Sequence, residues 1–259
     1  MKEELIIATI ALDIVWENPE ENFRQIDEII KNINADIFIL PEMYSYGFSM
    51  NTDKIAEEPY GASFQFLQQK AIEKQAAFCA SIPVKGRGGF YNRLYWVAPN
   101  ETFVRYDKRH LFSYAGENKH YTAGNKQVVI NYEGWRILPQ ICYDLRFPAF
   151  SRNSVFDPYD IALYIANWPS SRSFAWNTLL HARAIENMAY VVGVNRSGED
   201  PNGLSYLGDC HIIDPLGKDI QALDQKESLS IFAINKLYLM EQRQHFNFLN
   251  DADNFTIQF

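Results

Sequence analysis

Apolar residues recur along this chain with two periods, and the alternation between them marks out its elements. Residues 5–15, LIIATIALDIV, are almost all apolar, which suits a buried strand. Over residues 19–33 the apolar positions are Phe23, Ile26, Ile29, Ile30 and Ile33, spaced to form one face of a helix. DIFIL, residues 36–40, predicts a short buried strand that ends at Pro41, and residues 61–77 suit a second helix. FCASIPV (78–84) and YNRLYWVAP (91–99) predict two strands joined across GRGG (86–89), and TFVRYDK (102–108) adds another. QVVINY and WRILPQIC form a second predicted hairpin around Glu133-Gly134. A helix near 147–155, a strand at 160–167, a helix at 173–187 and a strand at 189–195 follow. Strands near 206–214 and 228–234, a short helix and an aromatic tail complete the pattern.

Crossover units mixed with hairpins predict an α/β (α+β) chain with mixed sheets covered by helices, not one purely parallel sheet. No repeat, low-complexity linker or change of composition interrupts residues 1–259, so a single domain is expected. Two long connections, 44–60 and 109–126, each begin just after a residue with catalytic potential, and long loops in compact domains are often functional.

Composition narrows the possibilities. The net charge is -8 with no Lys/Arg block, so nucleic acid is not an expected partner. No run of about 18 apolar residues exists, so no membrane span is expected. The N-terminal MKEELIIATIALDIVW is read as a first strand, since two glutamates and Asp13 spoil a leader pattern. Three scattered cysteines, Cys79, Cys142 and Cys210, suit neither a disulfide framework nor a zinc site, and a reducing cytoplasm is the simplest home. The glycosylation-like triplets at Asn195 and Asn254 are read as chance matches.

Cys142 ends an apolar run in QICYDLRFP, where the chain turns through Tyr143, Asp144 and Leu145. A strand end opens toward the ligand crevice of an α/β fold, and a turn into a helix leaves backbone N–H groups free to stabilise an oxyanion. Cys79 and Cys210 have no activating neighbour and read as small buried hydrophobes. Glu42 follows Pro41 at the end of DIFIL, a place suited to a general base. Lys108 closes the strand 102–108, and an ammonium there would favour a thiolate and bind an oxyanion. Taken singly, each residue also has a plain structural use.

The segments LPEMYSYGF, YDKRHLF and QICYDLRFP, in that order, resemble the three motifs of the nitrilase superfamily of carbon–nitrogen hydrolases. ANWPSSR (166–172), HARAIENMAYVVGVNR (181–196) and GDCHIIDPLG (208–217) extend the likeness over nearly the whole chain, nearest to the omega-amidase branch. The resemblance implies a four-layer α-β-β-α sandwich, a triad of Glu42, Lys108 and Cys142, and a second glutamate between the lysine and cysteine motifs. Glu117 matches that position better than Glu133, which sits in a predicted hairpin turn. It further implies a thioester on Cys142, an oxyanion held by Lys108 and the backbone N–H of Tyr143, no metal or organic cofactor, and a homodimer. A small omega-amide of a dicarboxylic or 2-oxo acid, such as 2-oxoglutaramate, is the implied substrate.

Such a substrate carries a carboxylate, and Arg172 is the candidate to bind it, with Trp168 and Tyr46 as candidate pocket walls. Arginine on a loop is as often simply solvated, and the aromatics as often packing. Asp144 and Arg146 are expected to pair with each other near the cysteine turn. Three other readings stay open: a thiol hydrolase using one of His110, His120, His181 or His211, a binding module without chemistry, and another superfamily activity such as nitrilase, carbamoylase or aliphatic amidase. GRGG lacks the ending of a phosphate loop, and strand alternation in DCHIID separates Cys210 from Asp209 and His211, against a metal site.

Overall fold

The computed structural model describes residues 2–253 and 255–257. Its strands are β1 (Glu4–Ile10), β2 (Ile37–Ile39), β3 (Ala77–Gly86), β4 (Gly89–Val97), β5 (Phe103–Asp107), β6 (Ile130–Tyr132) and β7 (Trp135–Ile141). They continue with β8 (Ile161–Ala166), β9 (Tyr190–Asn195), β10 (Ser197–Glu199), β11 (Ser205–Leu207), β12 (His211–Ile213), β13 (Asp224–Lys226) and β14 (Leu229–Asn235). The α-helices are α1 (Pro19–Ile30), α2 (Thr52–Ile55), α3 (Ala62–Lys74), α4 (Pro148–Ser151), α5 (Ser173–Asn187) and α6 (Lys236–His245). One sheet runs β13-β14-β1-β2-β3-β4-β5, a second runs β12-β9-β8-β7-β6, and β10-β11 form a separate ribbon.

Side-chain alternation explains the layering. In the first sheet Ile7, Ile37, Ile39, Cys79, Leu94 and Trp96 belong to a core shared with the second sheet. Their neighbours Ala8, Phe38, Phe78, Tyr95 and Val97 join a separate core with Ile26 and Ile30 of α1 and Phe64 and Leu67 of α3. Both sides of β2 and β3 are therefore apolar, as the uninterrupted runs in the sequence require. On the far side of the second sheet lies α5, which contributes Trp176, Leu180 and Ala184. The result is the expected α-β-β-α sandwich.

The two hairpins form where expected. Gly86 pairs with Gly89 across Arg87 and Gly88, and Tyr132 pairs with Trp135 across Glu133 and Gly134, both with positive φ. Three expectations need correction. The first strand stops at Ile10, and the chain beyond it leaves the ladder and meets the small ribbon through an isolated bridge between Asp13 and Ser197 and a bond from Ser197 Oγ to the Ala11 carbonyl. The helix near 147–155 is a single turn, because Asn153 spends its side chain on the carbonyls of Tyr159 and Asn187 and breaks the helical path. The run 206–214 is two strands in different sheets, divided at Gly208, whose φ of +70° turns the chain. Asn195 is buried and bonded through its amide to both N and O of Trp168, so the triplet there is a chance match; Asn254 lies outside the described residues. Among the described residues no helix is long and apolar enough to cross a membrane.

Helix α5 approaches β9 through Gly193, where an added Cβ would stand 2.5 Å from Leu180 and 3.0 Å from Trp176. The approach matters because Arg183 of the same helix donates to the carbonyl of Leu145, 2.7 Å away, and so supports the turn after β7. Gly193→Val should destabilise the fold by about 1–3 kcal/mol in urea unfolding. An unchanged midpoint would mean that the helix is not held by this contact.

Candidate active site

Strand ends from both sheets meet at one point. Glu42 lies three residues beyond β2, Lys108 directly follows β5, Cys142 directly follows β7 and Asn167 directly follows β8. Glu117 comes from the long connection after β5, in a short 3-10 turn (Glu117–Lys119). Gly116 opens that turn with a φ of +77°, which glycine adopts without strain. Glu42 and Glu117 are fully buried, as is the Lys108 side chain.

Lys108 Nζ donates to Glu42 Oε1 at 2.8 Å and to both oxygens of Glu117 at 3.0 and 2.9 Å. Glu117 Oε2 also accepts the Phe112 N–H at 2.5 Å. Burial alone would lower the lysine pKa, but the carboxylates of Glu117 and Glu42 outweigh it and hold the ammonium well above its usual value. Glu117 is shifted upward by burial, a shift that Lys108 only partly offsets and Glu42 reinforces.

Cys142 has a φ of 46°, a left-handed conformation that costs a non-glycine residue on the order of 1 kcal/mol. The conformation is imposed by the 3-10 turn Cys142–Arg146 and by Asp144 within it. Asp144 is fully buried and accepts from Ile141 N at 3.0 Å, Tyr106 Oη at 2.7 Å, His110 N at 2.9 Å and His110 Nδ1 at 2.8 Å. One carboxylate thus fastens the cysteine turn to the segment that carries Lys108. The expected pair of Asp144 with Arg146 does not form, because four inward donors claim the carboxylate. Arg146 instead lies over the Trp168 ring, 5.0 Å from its centroid.

The Cys142 thiol is pushed well above its usual pKa, first by burial and then by the negative Glu42, with Lys108 pulling the other way. Both leading influences favour the neutral thiol over the thiolate. Its sulfur lies 3.9 Å from the Asn167 carbonyl oxygen.

A cavity of about 380 Å³ opens over the sulfur. Tyr143, Arg146, Trp168, Arg172, Phe48 and Trp16 line it. The Arg172 guanidinium sits 5.4 Å from the Phe112 ring centroid, and Trp168 Nε1 donates to the Arg172 carbonyl at 2.8 Å. Tyr46 is not part of this wall. The turn at Met43–Gly47 directs it outward to Glu57 Oε1 at 3.0 Å, and Phe48 and Met50 take the place expected for it.

Two buried asparagines complete the cluster without having been singled out in the sequence. Asn92 of β4 donates to Glu42 and Glu117. Asn167 donates its backbone N–H to Glu42 Oε2 at 2.9 Å and its side chain to the Glu42 carbonyl at 2.6 Å. The signal for both was an Asn inside an apolar stretch, YNRLYWV and IANWP. None of the four candidate histidines lines the cavity. His110 stacks on Phe147, His120 is exposed, and His181 and His211 share Asp219. Among the described residues no group of His, Cys, Asp and Glu is arranged to hold a metal ion.

The carbon–nitrogen hydrolase family model matches residues 6–244. The chain is 41% identical to the omega-amidase YafV of Escherichia coli K12 over 98% of both chains. It is 30% identical to a 2-oxoglutaramate amidase of Bacillus subtilis, over 86% of this chain and 88% of that one. A crystal structure of a CN-hydrolase superfamily protein from Xanthomonas campestris superposes with a TM-score of 0.94 at 38% identity, covering 99% of this chain and all of the other.

Two outcomes follow from the geometry. Asp144→Ala should cost about 2–4 kcal/mol in denaturant unfolding and slow the modification of Cys142 by thiol reagents, since it leaves buried donors unpaired. A stable variant with normal thiol reactivity would show that the turn holds itself. Because the thiol pKa is raised, the ultraviolet difference between the unaltered protein and Cys142→Ala should show no thiolate band at neutral pH, only at strongly alkaline pH. A thiolate band at neutral pH would contradict a neutral resting site.

Proposed function

The chain belongs to the carbon–nitrogen hydrolase family, and from that premise we propose that it hydrolyses the terminal amide of a small omega-amide of a dicarboxylic or 2-oxo acid, such as 2-oxoglutaramate. The products are the carboxylate and ammonia. The observation that carries the substrate class is the cavity wall. Arg146 and Arg172 both face the space above the sulfur, and neither makes an ion pair among the described residues. Two guanidiniums held against aromatic rings, without a carboxylate of their own, suit a substrate that brings one. The names of the Escherichia coli and Bacillus subtilis relatives support the same class.

The proposed chemistry uses a triad of Glu42, Lys108 and Cys142. Glu42 takes the thiol proton as the sulfur attacks the amide carbon. The carbonyl oxygen becomes an oxyanion held by Lys108 Nζ and the backbone N–H of Tyr143, a donor of this kind being worth about 3 kcal/mol of barrier. Glu117 anchors Lys108 and meets the substrate amide. Glu42 passes its proton to the amide nitrogen, the C–N bond breaks and ammonia leaves a Cys142 thioester. A water then gives a proton to Glu42 and attacks the thioester carbon. Collapse of that second intermediate returns the proton to sulfur and frees the acid. No metal or organic cofactor has a part in these steps.

A neutral thiol beside a carboxylate supports this order of events, because proton removal and attack then belong to one step. The three cysteines are all free, which suits a reducing cytoplasm. Exposed Phe156 and Phe174 and half-exposed Ile185 support a homodimer.

Ammonia release from 2-oxoglutaramate, succinamate, glutamine, an aliphatic nitrile and an N-carbamoyl amino acid should favour the first two. Arg172→Ala and Arg146→Ala should each raise KM for succinamate about tenfold or more while leaving turnover of an uncharged aliphatic amide unchanged. A preference for uncharged amides in the unaltered protein would overturn the substrate assignment, and no turnover of any of these compounds would overturn the activity.

A further inference from the structure

Asn92 touches every charged member of the buried cluster. It sits fully buried on β4, opposite the end of β5. Its Nδ2 donates to Glu42 Oε1 at 2.8 Å and to Glu117 Oε1 at 3.3 Å, and its backbone carbonyl accepts the Lys108 N–H at 2.9 Å. Its Oδ1 has no hydrogen-bond partner among the described residues, so the side chain is held entirely by its donor end.

We infer that Asn92 is a positioning residue of the hydrolysis, a neutral double donor that spaces the Glu42 and Glu117 carboxylates and leaves one face of Glu42 open to the Cys142 proton. The inference rests on the reading of Glu42 as proton carrier.

Counting lone pairs makes the case. A carboxylate has about four acceptor sites. Glu42 Oε1 takes Lys108 Nζ and Asn92 Nδ2, and Oε2 takes the Asn167 N–H. One site remains, on the oxygen next to Asn167, whose carbonyl is also the neighbour of the sulfur. If Asn92 were missing, Glu42 would have a second free site on Oε1 and a route to rotate away from the thiol.

The choice of an uncharged donor also matters. Two carboxyl groups share one ammonium in a space closed to water, so at least one further donor is needed to occupy their remaining acceptor sites. A second lysine or arginine at this place would do so too strongly and would weaken Glu42 as a base. An amide N–H₂ has two hydrogens at a fixed angle and no charge, so it reaches both acids while leaving Glu42 able to take a proton.

The test compares Asn92→Leu, similar in size with no donor, and Asn92→Ser, which keeps one. The first readout is the rate of Cys142 alkylation by iodoacetamide against pH, which needs no substrate. The second is kcat and KM for succinamate, with circular dichroism to follow the fold. Losing donors to the anionic form raises carboxyl pKa values, so the acid limb of the alkylation profile should move to higher pH, by about one unit in Asn92→Leu and less in Asn92→Ser. In Asn92→Leu kcat should fall about a hundredfold with KM changed by less than about threefold. A folded variant with the original alkylation profile and kcat overturns the inference. Should Asn92→Leu not fold, Asn92→Ser decides by the same limb. A displaced limb in a protein whose unaltered form hydrolyses no omega-amide would keep this role for Asn92 and reject only the substrate reading.

Discussion

An ammonium shared between two buried carboxylates governs this structure. Lys108 lies out of water, and removing a charge from water costs several kcal/mol unless partners of opposite sign replace the solvent. Glu42 and Glu117 do so at 2.8 to 3.0 Å, two carboxyl groups to one ammonium. Their further partners are neutral donors: the Asn92 amide and the main-chain N–H groups of Asn167 and Phe112. A close-packed hydrophobic core of the same volume would be easier to fold. What the buried charges gain is fixed geometry: Glu42 and Glu117 keep set distances from Lys108 out of water, while the Cys142 sulfur faces the cavity.

The cysteine turn depends on a second buried carboxylate. Asp144 gathers donors from β7, from β5 through Tyr106, and from the segment after Lys108. The strained backbone at Cys142 is kept in place by that network together with the Arg183 support from α5. Cys142 and Lys108 are therefore positioned by one shared element.

Much of this was legible in the sequence, and for definite reasons. β2 and β3 are buried on both faces, so their unbroken apolar runs were readable, and the two hairpins carry glycine where positive φ is needed. The motif residues Glu42, Lys108, Glu117 and Cys142 stand together because each lies at a strand end or in the loop that follows one. Legibility failed where a side chain's direction depends on partners distant in the chain. Asp144 was expected to choose its neighbour Arg146, and it chose main-chain donors and Tyr106. Tyr46 was expected in the pocket, and a turn at Gly47 sent it to Glu57. Asn92 and Asn167 went unnoticed because an amide within a strand or just past its end has no periodic signature. The strand expected at 206–214 broke because one glycine hands the chain from the small ribbon to the second sheet.

The two sheets contribute different halves of the cluster. Glu42, Asn92 and Lys108 stand on the first, and Cys142 and Asn167 on the second. Only an oily seam of side chains from both sheets and a handful of polar ties keep the halves in register. A slip along that seam of a single ångström would part sulfur from carboxylate while each sheet kept its own ladder whole. Warming or mild solvent stress should thus silence the protein well before it melts, so that its working range is narrower than its range of folding.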